Sequence, residues 1–361
     1  MTEKEAYIAF NLTERVGSVA VSELVEKFGT LVSAWESFPN KTGRLPGYVN
    51  PEAELEKADR MGVQIITPAD PEYPRILKDT RGHPLALYVK GSLEALSVSM
   101  VSIVGTRNPS QYGVDQAEKF AFGLAKNGWG VLSGLALGID AAAHRGALDA
   151  GGTTVGVIGS GLDKFFPKEN IDLAREIVAS GGAVVSEFPF GRSPDQKTFP
   201  QRNRIVAALA HGVIAIEAPV KSGTLITTGF AADIGRHVMA LPGRVDCPQA
   251  SGCLNLIRDG ARLVRSVRDV EEELGGLFGR PLKERSLEAS PREARSVAQA
   301  PFSVEESLLM RHVTSEGISL DDLVLKSGLS AAKVNSLAMS LRVKGRLRFF
   351  PGNRVALPRE N

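Results

Sequence analysis

Two cysteines, at positions 247 and 253, are all the thiol chemistry a chain of 361 residues carries. They are too few for a disulfide framework, and no His or Cys group stands near them to complete a zinc site. The five histidines (83, 144, 211, 237 and 312) include no pair three or four residues apart, so the helical metal-binding spacing is missing as well. No metal and no cofactor are expected. No apolar run approaches the ~20 residues of a membrane-spanning helix. The start, MTEKEAYIAFN, is charged where a secretory leader is apolar. A reduced, cytoplasmic setting without membrane contact is the expectation. Charge of one sign is not in excess either: Lys and Arg total 43 against 41 Asp and Glu, a net of +2. Any basic surface for a polyanion must therefore be local.

Catalytic signatures are also wanting. KSGT (221–224) has the wrong residue order for a P-loop, which argues against ATP hydrolysis. Gly159, Ser160 and Gly161 are followed by Leu162, Asp163 and Lys164, so the dinucleotide fingerprint is not completed. Ser133 precedes Gly134 without a G-x-S-x-G elbow and reads as a helix-entry serine. His144, on an alanine-rich stretch after Asp140, reads as a helix residue satisfied by a nearby carbonyl. Glu187 and Glu217 stand at strand ends. Two carboxylates there suit acid–base work on a nucleotide sugar, or equally the bonding of loop amides.

What is present is a series of Gly, Ser and Thr turns, each just after a short apolar run. They read IVGTRNPSQYG (103–113), VLSGLALGID (131–140), VGVIGSGLDKFFP (155–167) and VIAIEAPVKSGTLIT (213–227). A strand ending in such a turn and feeding a helix aims backbone N–H groups at one spot, which suits phosphate. Arg107, Lys197, Arg202, Arg204 and Lys221 stand in or beside these turns.

The organisation follows from the alternation. Residues 1–70 read as a small helical domain, with a helix–turn–helix cadence over 16–35 punctuated by Gly17 and Gly29; it is similar to SAM-like or helix-hairpin-helix modules. Over residues 71–276, apolar runs at 102–104, 130–132, 154–158, 183–186, 213–216 and 237–241 alternate with helical stretches. That pattern predicts a Rossmann-like, doubly wound, mostly parallel sheet covered on both faces, with ligands at the carboxyl ends of its strands. Residues 277–301, rich in Arg, Glu, Ser, Ala and Pro, read as a linker. Residues 302–361 predict three helices and a hairpin turning at Pro351, Gly352 and Asn353, the order of a winged helix. Lys333, Arg342, Lys344, Arg346, Arg348, Arg354 and Arg359 are nearly unopposed by acids in sequence, so contact with duplex DNA is one reading of this module and a protein partner is the other.

With aromatics at only 6%, the segment DQKTFPQRNRIVAAL (195–209) stands out. Pro200 suits a helix start, which places Phe199 on the loop before it and Arg202, Asn203 and Arg204 in the first turn. An exposed ring among cations suits a single strand: a face for a base and charge for its phosphates. The alternative is that Phe199 plugs the core and the arginines pair with Glu187 or Glu217.

These segments resemble the bacterial DNA-processing protein A family, also called Smf. The matching motifs are YPRILKD (73–79), IVGTR (103–107), YG (112–113), SGLALGIDAAAH (133–144), FPQRNRI (199–205), EAPVKSGTLIT (217–227), LPG (241–243) and LNLIRDGA (254–261). The resemblance implies a non-enzymatic binder of single-stranded DNA that protects incoming strands in natural transformation, hands them to the RecA recombinase and works as a homodimer. It implies that Gly105, Thr106 and Arg107 form a phosphate-holding turn, that Lys197 and Phe199 form a basic and stacking pair, and that Ser222, Gly223 and Thr224 form a second phosphate turn. Ser133, Gly134, Arg202, Asn203, Arg204 and Lys221 complete the expected DNA-binding set. Thr106 stands where Ser is usual, Leu137 where Arg is frequent and Phe166 where Tyr is common. Two other readings remain: a nucleotide or phosphoribosyl hydrolase using Glu187 or Glu217, and a regulator that reads duplex DNA through residues 302–361.

Overall fold

The strands that build the sheet are short and buried along their length because helices cover both faces. A computed structural model describes residues 1–13, 16–38, 49–278, 303–314, 317–343, 346–350 and 354–357. The chain divides into two compact units, Met1–Lys283 and Glu284–Asn361.

In chain order the first unit contains α1 (Glu3–Leu12), α2 (Ser18–Phe28), α3 (Leu31–Ser37), α4 (Pro51–Met61), β1 (Gln64–Ile66), α5 (Arg75–Lys78), β2 (Leu87–Gly91), β3 (Met100–Val104), α6 (Gln111–Lys126), β4 (Gly130–Ser133), α7 (Ile139–Asp149), β5 (Thr154–Val157), α8 (Ile171–Ala179) and β6 (Ala183–Ser186). It continues with α9 (Thr198–Ala208), β7 (Gly212–Ala215), α10 (Gly223–Asp233), β8 (His237–Ala240), α11 (Ser251–Arg258), β9 (Arg262–Leu263) and α12 (Val267–Phe278). The nine strands form one sheet in the order β1-β2-β6-β5-β4-β3-β7-β8-β9. From β6 to β9 all pairs are parallel, while β1–β2 and β2–β6 are antiparallel. The chain winds outward from β3 to β6, then crosses back through α9 to lay β7 on the other side of β3. The winding direction therefore reverses between β3 and β7, the position where sheets of this kind open a crevice.

Alternation along each strand feeds two cores. Val101, Ile103, Val131 and Ile214 pack with Phe120 of α6, Ala143 of α7 and Leu274 of α12. Val104, Leu132, Val155 and Val213 face the other way, onto Ile205 and Val206 of α9 and Ala231 of α10. The six inner strands and their helices occur where the sequence predicts them. The antiparallel edge does not: β1 lies within residues expected to be helical, and β2 was not anticipated. A strand of three residues has too few alternations to show its period, and its conformation is set by pairing of Gln64, Ile65 and Ile66 with Val89, Tyr88 and Leu87.

The amino-terminal helices start on strong local signals. Thr2 and Glu5 form a reciprocal capping box on α1, Thr30 caps α3, and Asn50 with Pro51 starts α4. Phe10 stacks edge-on against Trp35, with ring centroids 5.1 Å apart, inside a core that also holds Val21 and Leu31. Ile8, Leu12 and Ala58 pack on Tyr88 of β2 and Phe190 beyond β6, which docks the helices on the antiparallel edge of the sheet.

The second unit contains α13 (Val304–Met310), β10 (Ile318–Ser319), α14 (Leu320–Ser327), α15 (Ala331–Val343), β11 (Arg348–Phe350) and β12 (Arg354–Ala356). Its three strands pair antiparallel in the order β10-β12-β11 around a core of Leu309, Leu323, Val334 and Leu341. The three helices and the hairpin strands agree with expectation, and β10 is additional. One expectation of charge is corrected: Lys333 is opposed, by an ion pair with Glu305 across α13 and α15. The expected linker beyond residue 278, the hairpin turn at Pro351, Gly352 and Asn353, and Lys344 and Arg359 lie outside the described residues.

Candidate nucleic-acid interface

A cleft of about 460 Å³ opens at the carboxyl ends of β3, β4 and β7, where the winding reverses. The turn after β3 supplies Gly105, Thr106 and Arg107, and the turn after β4 supplies Gly134 and Ala136. The turn after β7 supplies Pro219, Lys221, Ser222, Gly223 and Thr224, and the first turns of α9 supply Phe199, Arg202 and Asn203. Arg107 and Lys221 are exposed at its rim. The Arg107 guanidinium lies over the Phe199 ring, 5.2 Å from its centroid. Phe166 approaches the same ring at 6.0 Å with a tilt of 48°. Helix α9 begins at Thr198 rather than at Pro200, so Phe199 sits half-buried within the first turn, not on the loop before it. Proline is tolerated there because the first-turn N–H groups lack intrahelical partners in any case.

Not every amide expected to face a ligand is available to one. Thr106 N–H donates to the Glu217 carbonyl at 2.7 Å, and its hydroxyl accepts from Asn108 N–H at 3.2 Å. Ser222 caps α10 by accepting from Thr224 N–H at 3.1 Å. Asn203 Nδ2 donates to the Gly223 carbonyl at 3.3 Å and ties α9 to the start of α10. The positive charge at the cleft comes from the side chains of Arg107, Lys221 and Arg202.

The floor is a buried polar cluster. Arg202 is 5% exposed; its Nη1 donates to the Val157 carbonyl at 2.9 Å, and its Nε has no partner among the described residues. Burial pushes its pKa down to about 10, against the pull of Asp140. Burial in turn lifts the Asp140 carboxyl above its ordinary range, opposed by Arg202 and by the N–H groups of Ala136 and Gly134. Expected on the surface, Arg202 is instead the underside of the cleft, because Gly134 leaves the volume its guanidinium occupies.

His144 is fully buried behind this cluster, with Nδ1 2.7 Å from Thr154 Oγ1. Thr154 Oγ1 spends its proton on the Val131 carbonyl at 2.8 Å. The hydrogen-bond network thus assigns the Nδ1–H tautomer, with a hydroxyl rather than the expected carbonyl as acceptor. Burial, helped by Arg202, lowers the pKa from 6.5 to about 3. The folded state therefore binds fewer protons than the unfolded chain between those values. The stabilisation is complete above pH 6.5 and is lost as pH falls towards 3, at about 1.4 kcal/mol per unit. Urea melts at pH 7 and pH 5 should show this loss, and His144→Gln should flatten it; an unchanged difference between the two pH values in that variant would assign the loss to other groups.

Three expected site residues do not join the cleft. Ser133 is buried and donates its hydroxyl to the Ile103 carbonyl at 2.6 Å. Lys197 and Arg204 project from the other side of α9 into a second cleft. There Arg204 forms an ion pair with Glu187, as the alternative reading of the arginines held. Neither carboxylate considered for acid–base work lines the first cleft. Glu187 pairs with Arg204 through Oε2, leaving its buried Oε1 without a partner among the described residues, and Glu217 accepts from Ser110 N–H at 2.9 Å and from its hydroxyl at 2.5 Å. Asp140, which sequence reasoning passed over, is central: its Oδ2 accepts from Gly134 N–H at 3.1 Å and from Ala136 N–H at 3.4 Å. The signal available was its place in the first turn of α7, directly after the glycine turn.

Fold and cleft together make this an α/β protein of Rossmann-like winding with a cationic crevice where the winding reverses. Residues 64–275 match the profile of a family described as DNA recombination-mediator protein A. The chain is 32% identical to protein Smf of Synechocystis over 395 aligned positions that cover 98% of both chains. It is 44% identical to the DNA processing protein DprA of Streptococcus pneumoniae over 56% of this chain and 71% of that one. The crystal structure of the S. pneumoniae protein superposes with a TM-score of 0.63 at 36% identity, covering 76% of this chain and 98% of that one. DNA processing protein A from Helicobacter pylori, a protein with a single-stranded DNA binding mode, gives 0.53 at 30% identity over 59% of this chain and 96% of that one. The chain belongs to the DNA recombination-mediator protein A family, also named DprA or Smf. Among the described residues no helix is long and apolar enough to cross a membrane.

Proposed function

We propose that this protein binds single-stranded DNA without sequence preference in the cleft between the β3, β4 and β7 turns, and that it does so as a non-catalytic mediator. In this reading it works in the cytoplasm as a homodimer, shields incoming strands during natural transformation and loads RecA onto them. The observation that carries the binding reading is the Arg107–Phe199 pair on the rim of a crevice that Lys221 flanks. A cation for phosphate beside a ring for a base is what a strand of any sequence needs. That neither Glu187 nor Glu217 lines this cleft speaks against the hydrolase reading. We read the amino-terminal helices as a SAM-like module and the second unit as a winged helix open to duplex DNA or protein, on the order of their elements.

Filter binding of the full chain to oligo-dT and to duplex, at two salt concentrations, tests the reading. Oligo-dT should bind more tightly, and Arg107→Ala should weaken all sequences alike while lowering the salt slope by about 0.7–1. An unchanged slope in that variant, or turnover of nucleotide monophosphates by the wild type, would remove the reading.

A further inference from the structure

Of the four glycine, serine and threonine turns that follow apolar runs in the sequence, three line the cleft and the fourth, between β5 and α8, does not. Strand β5 pairs parallel with β4, so this fourth turn leaves the same edge of the sheet, beside the turn after β4. The two turns are tied together. Buried Asn170 donates through Nδ2 to the Leu135 carbonyl at 2.9 Å and to the Ala136 carbonyl at 3.0 Å.

Side chains along the fourth turn divide between the core and solvent. Phe165 packs on the cluster of Leu135, Ile158 and Leu173, and Pro167 is buried. Lys164, Phe166 and Lys168 are exposed. Asp163 is engaged by Lys57 and by the Gly191 N–H, which leaves the exposed Glu169 as the acid beside the two lysines. Neither lysine forms an ion pair among the described residues.

An exposed aromatic ring on its own is ordinary. Phe166 differs in its neighbours. It is 42% exposed and lies against Phe199, so it continues an aromatic surface that opens into the cleft. The Arg107 guanidinium already lies over the Phe199 ring, and Phe166 is the more exposed of the two. At a tilt of 48° the rings do not make one flat stack; they offer two differently inclined faces. A ring flanked by unpaired cations two residues away on each side has what a base and its adjoining phosphates require.

We propose that Phe166 is a second base-stacking platform for the same single strand, with Lys164 and Lys168 holding the phosphates beside that base. This rests on the strand-binding reading of the cleft and extends its footprint along the sheet edge, from the turn after β4 to the turn after β5.

The test uses the full chain and oligo-dT of about 20 nucleotides, longer than one short single-strand site. Phe166→Ala should raise the Kd about 5- to 150-fold and leave binding of an abasic oligomer of the same length unchanged. Phe166→Trp should keep most of the affinity, and its emission should be quenched by oligo-dT but not by the abasic oligomer. The native Trp35 and Trp129 are buried and supply a constant background. Combining Lys164→Ala with Lys168→Ala should lower the salt slope by about 1.4, about 0.7 for each phosphate released. A cycle with Phe199→Ala separates a platform from a prop: a platform costs a further loss in that background, whereas a ring that only supports Phe199 costs nothing more. Wild-type Kd in Phe166→Ala, an equal loss for both oligomers, or no further loss in the Phe199→Ala background would each overturn the proposal. An unchanged salt slope would overturn the path of the phosphates. Failure of the wild type to bind oligo-dT removes the first-cleft reading itself, a result distinct from the others.

Discussion

Replacing Gly134 with valine should lower the stability of the first unit by about 2–4 kcal/mol and weaken oligo-dT binding at least tenfold. A Cβ on Gly134 would lie 1.7 Å from Arg202 Nη1 and 2.7 Å from Asp140 Oδ2. The end of an arginine is normally free to swing aside, but this one is buried and holds the Val157 carbonyl. Moving it breaks a charge-assisted hydrogen bond and leaves the Val157 carbonyl without that donor. Displacing Asp140 also releases the turn between β4 and α7, since its carboxylate holds the Gly134 and Ala136 N–H groups. Binding suffers because that turn and Arg202 line the cleft. Urea melts and oligo-dT titrations on the same preparation check both parts. A variant with wild-type stability would mean that Arg202 has a second place to go.

Phe199→Ala should raise the Kd for oligo-dT about 5- to 150-fold, the equivalent of losing about 1–3 kcal/mol of base stacking. Part of the loss is indirect, because the Arg107 guanidinium loses the ring it lies over, a contact worth about 0.5–1 kcal/mol at an exposed site. Phe199→Trp should restore most of the affinity. The same pair of variants decides between the two roles open to this side chain. A stacking platform gives a large change in Kd with a small change in thermal midpoint, since the ring is only half-buried. A plug between Phe166 and Gly159 gives the reverse. Unchanged Kd with a midpoint several degrees lower would end the stacking role.

The parallel heart of the fold was legible because burial on both faces leaves strands as continuous apolar runs, and Ala183–Ser186 and Gly212–Ala215 carry that mark plainly. The edges were not: β9 has two residues, both exposed, and β1 owes its conformation to its partner. Within the site, Arg107, Lys221 and Phe199 were legible as charge and ring beside turns. The sidedness of α9 was hidden by a helix start placed at Pro200. With the start at Thr198, residues 199 and 203 fall on one face and 201 and 204 on another, by the ordinary helical spacing. Arg204 turns away from the first cleft because it stands one residue, about 100°, past Asn203. The depth of Arg202 was beyond reach, since nothing in the sequence of α9 tells that a glycine 68 positions earlier leaves a hole for it.

The return of the chain through α9 has a consequence for biosynthesis. The crevice needs β7 beside β3, a register that joins Val101 to Gly212, and its last wall ends near Thr227. Contacts between positions so far apart in sequence close late in folding. A ribosome must therefore release well over half of this polypeptide before the cleft is complete. On the strand-binding reading, products of translation interrupted before Thr227 should not retain oligo-dT.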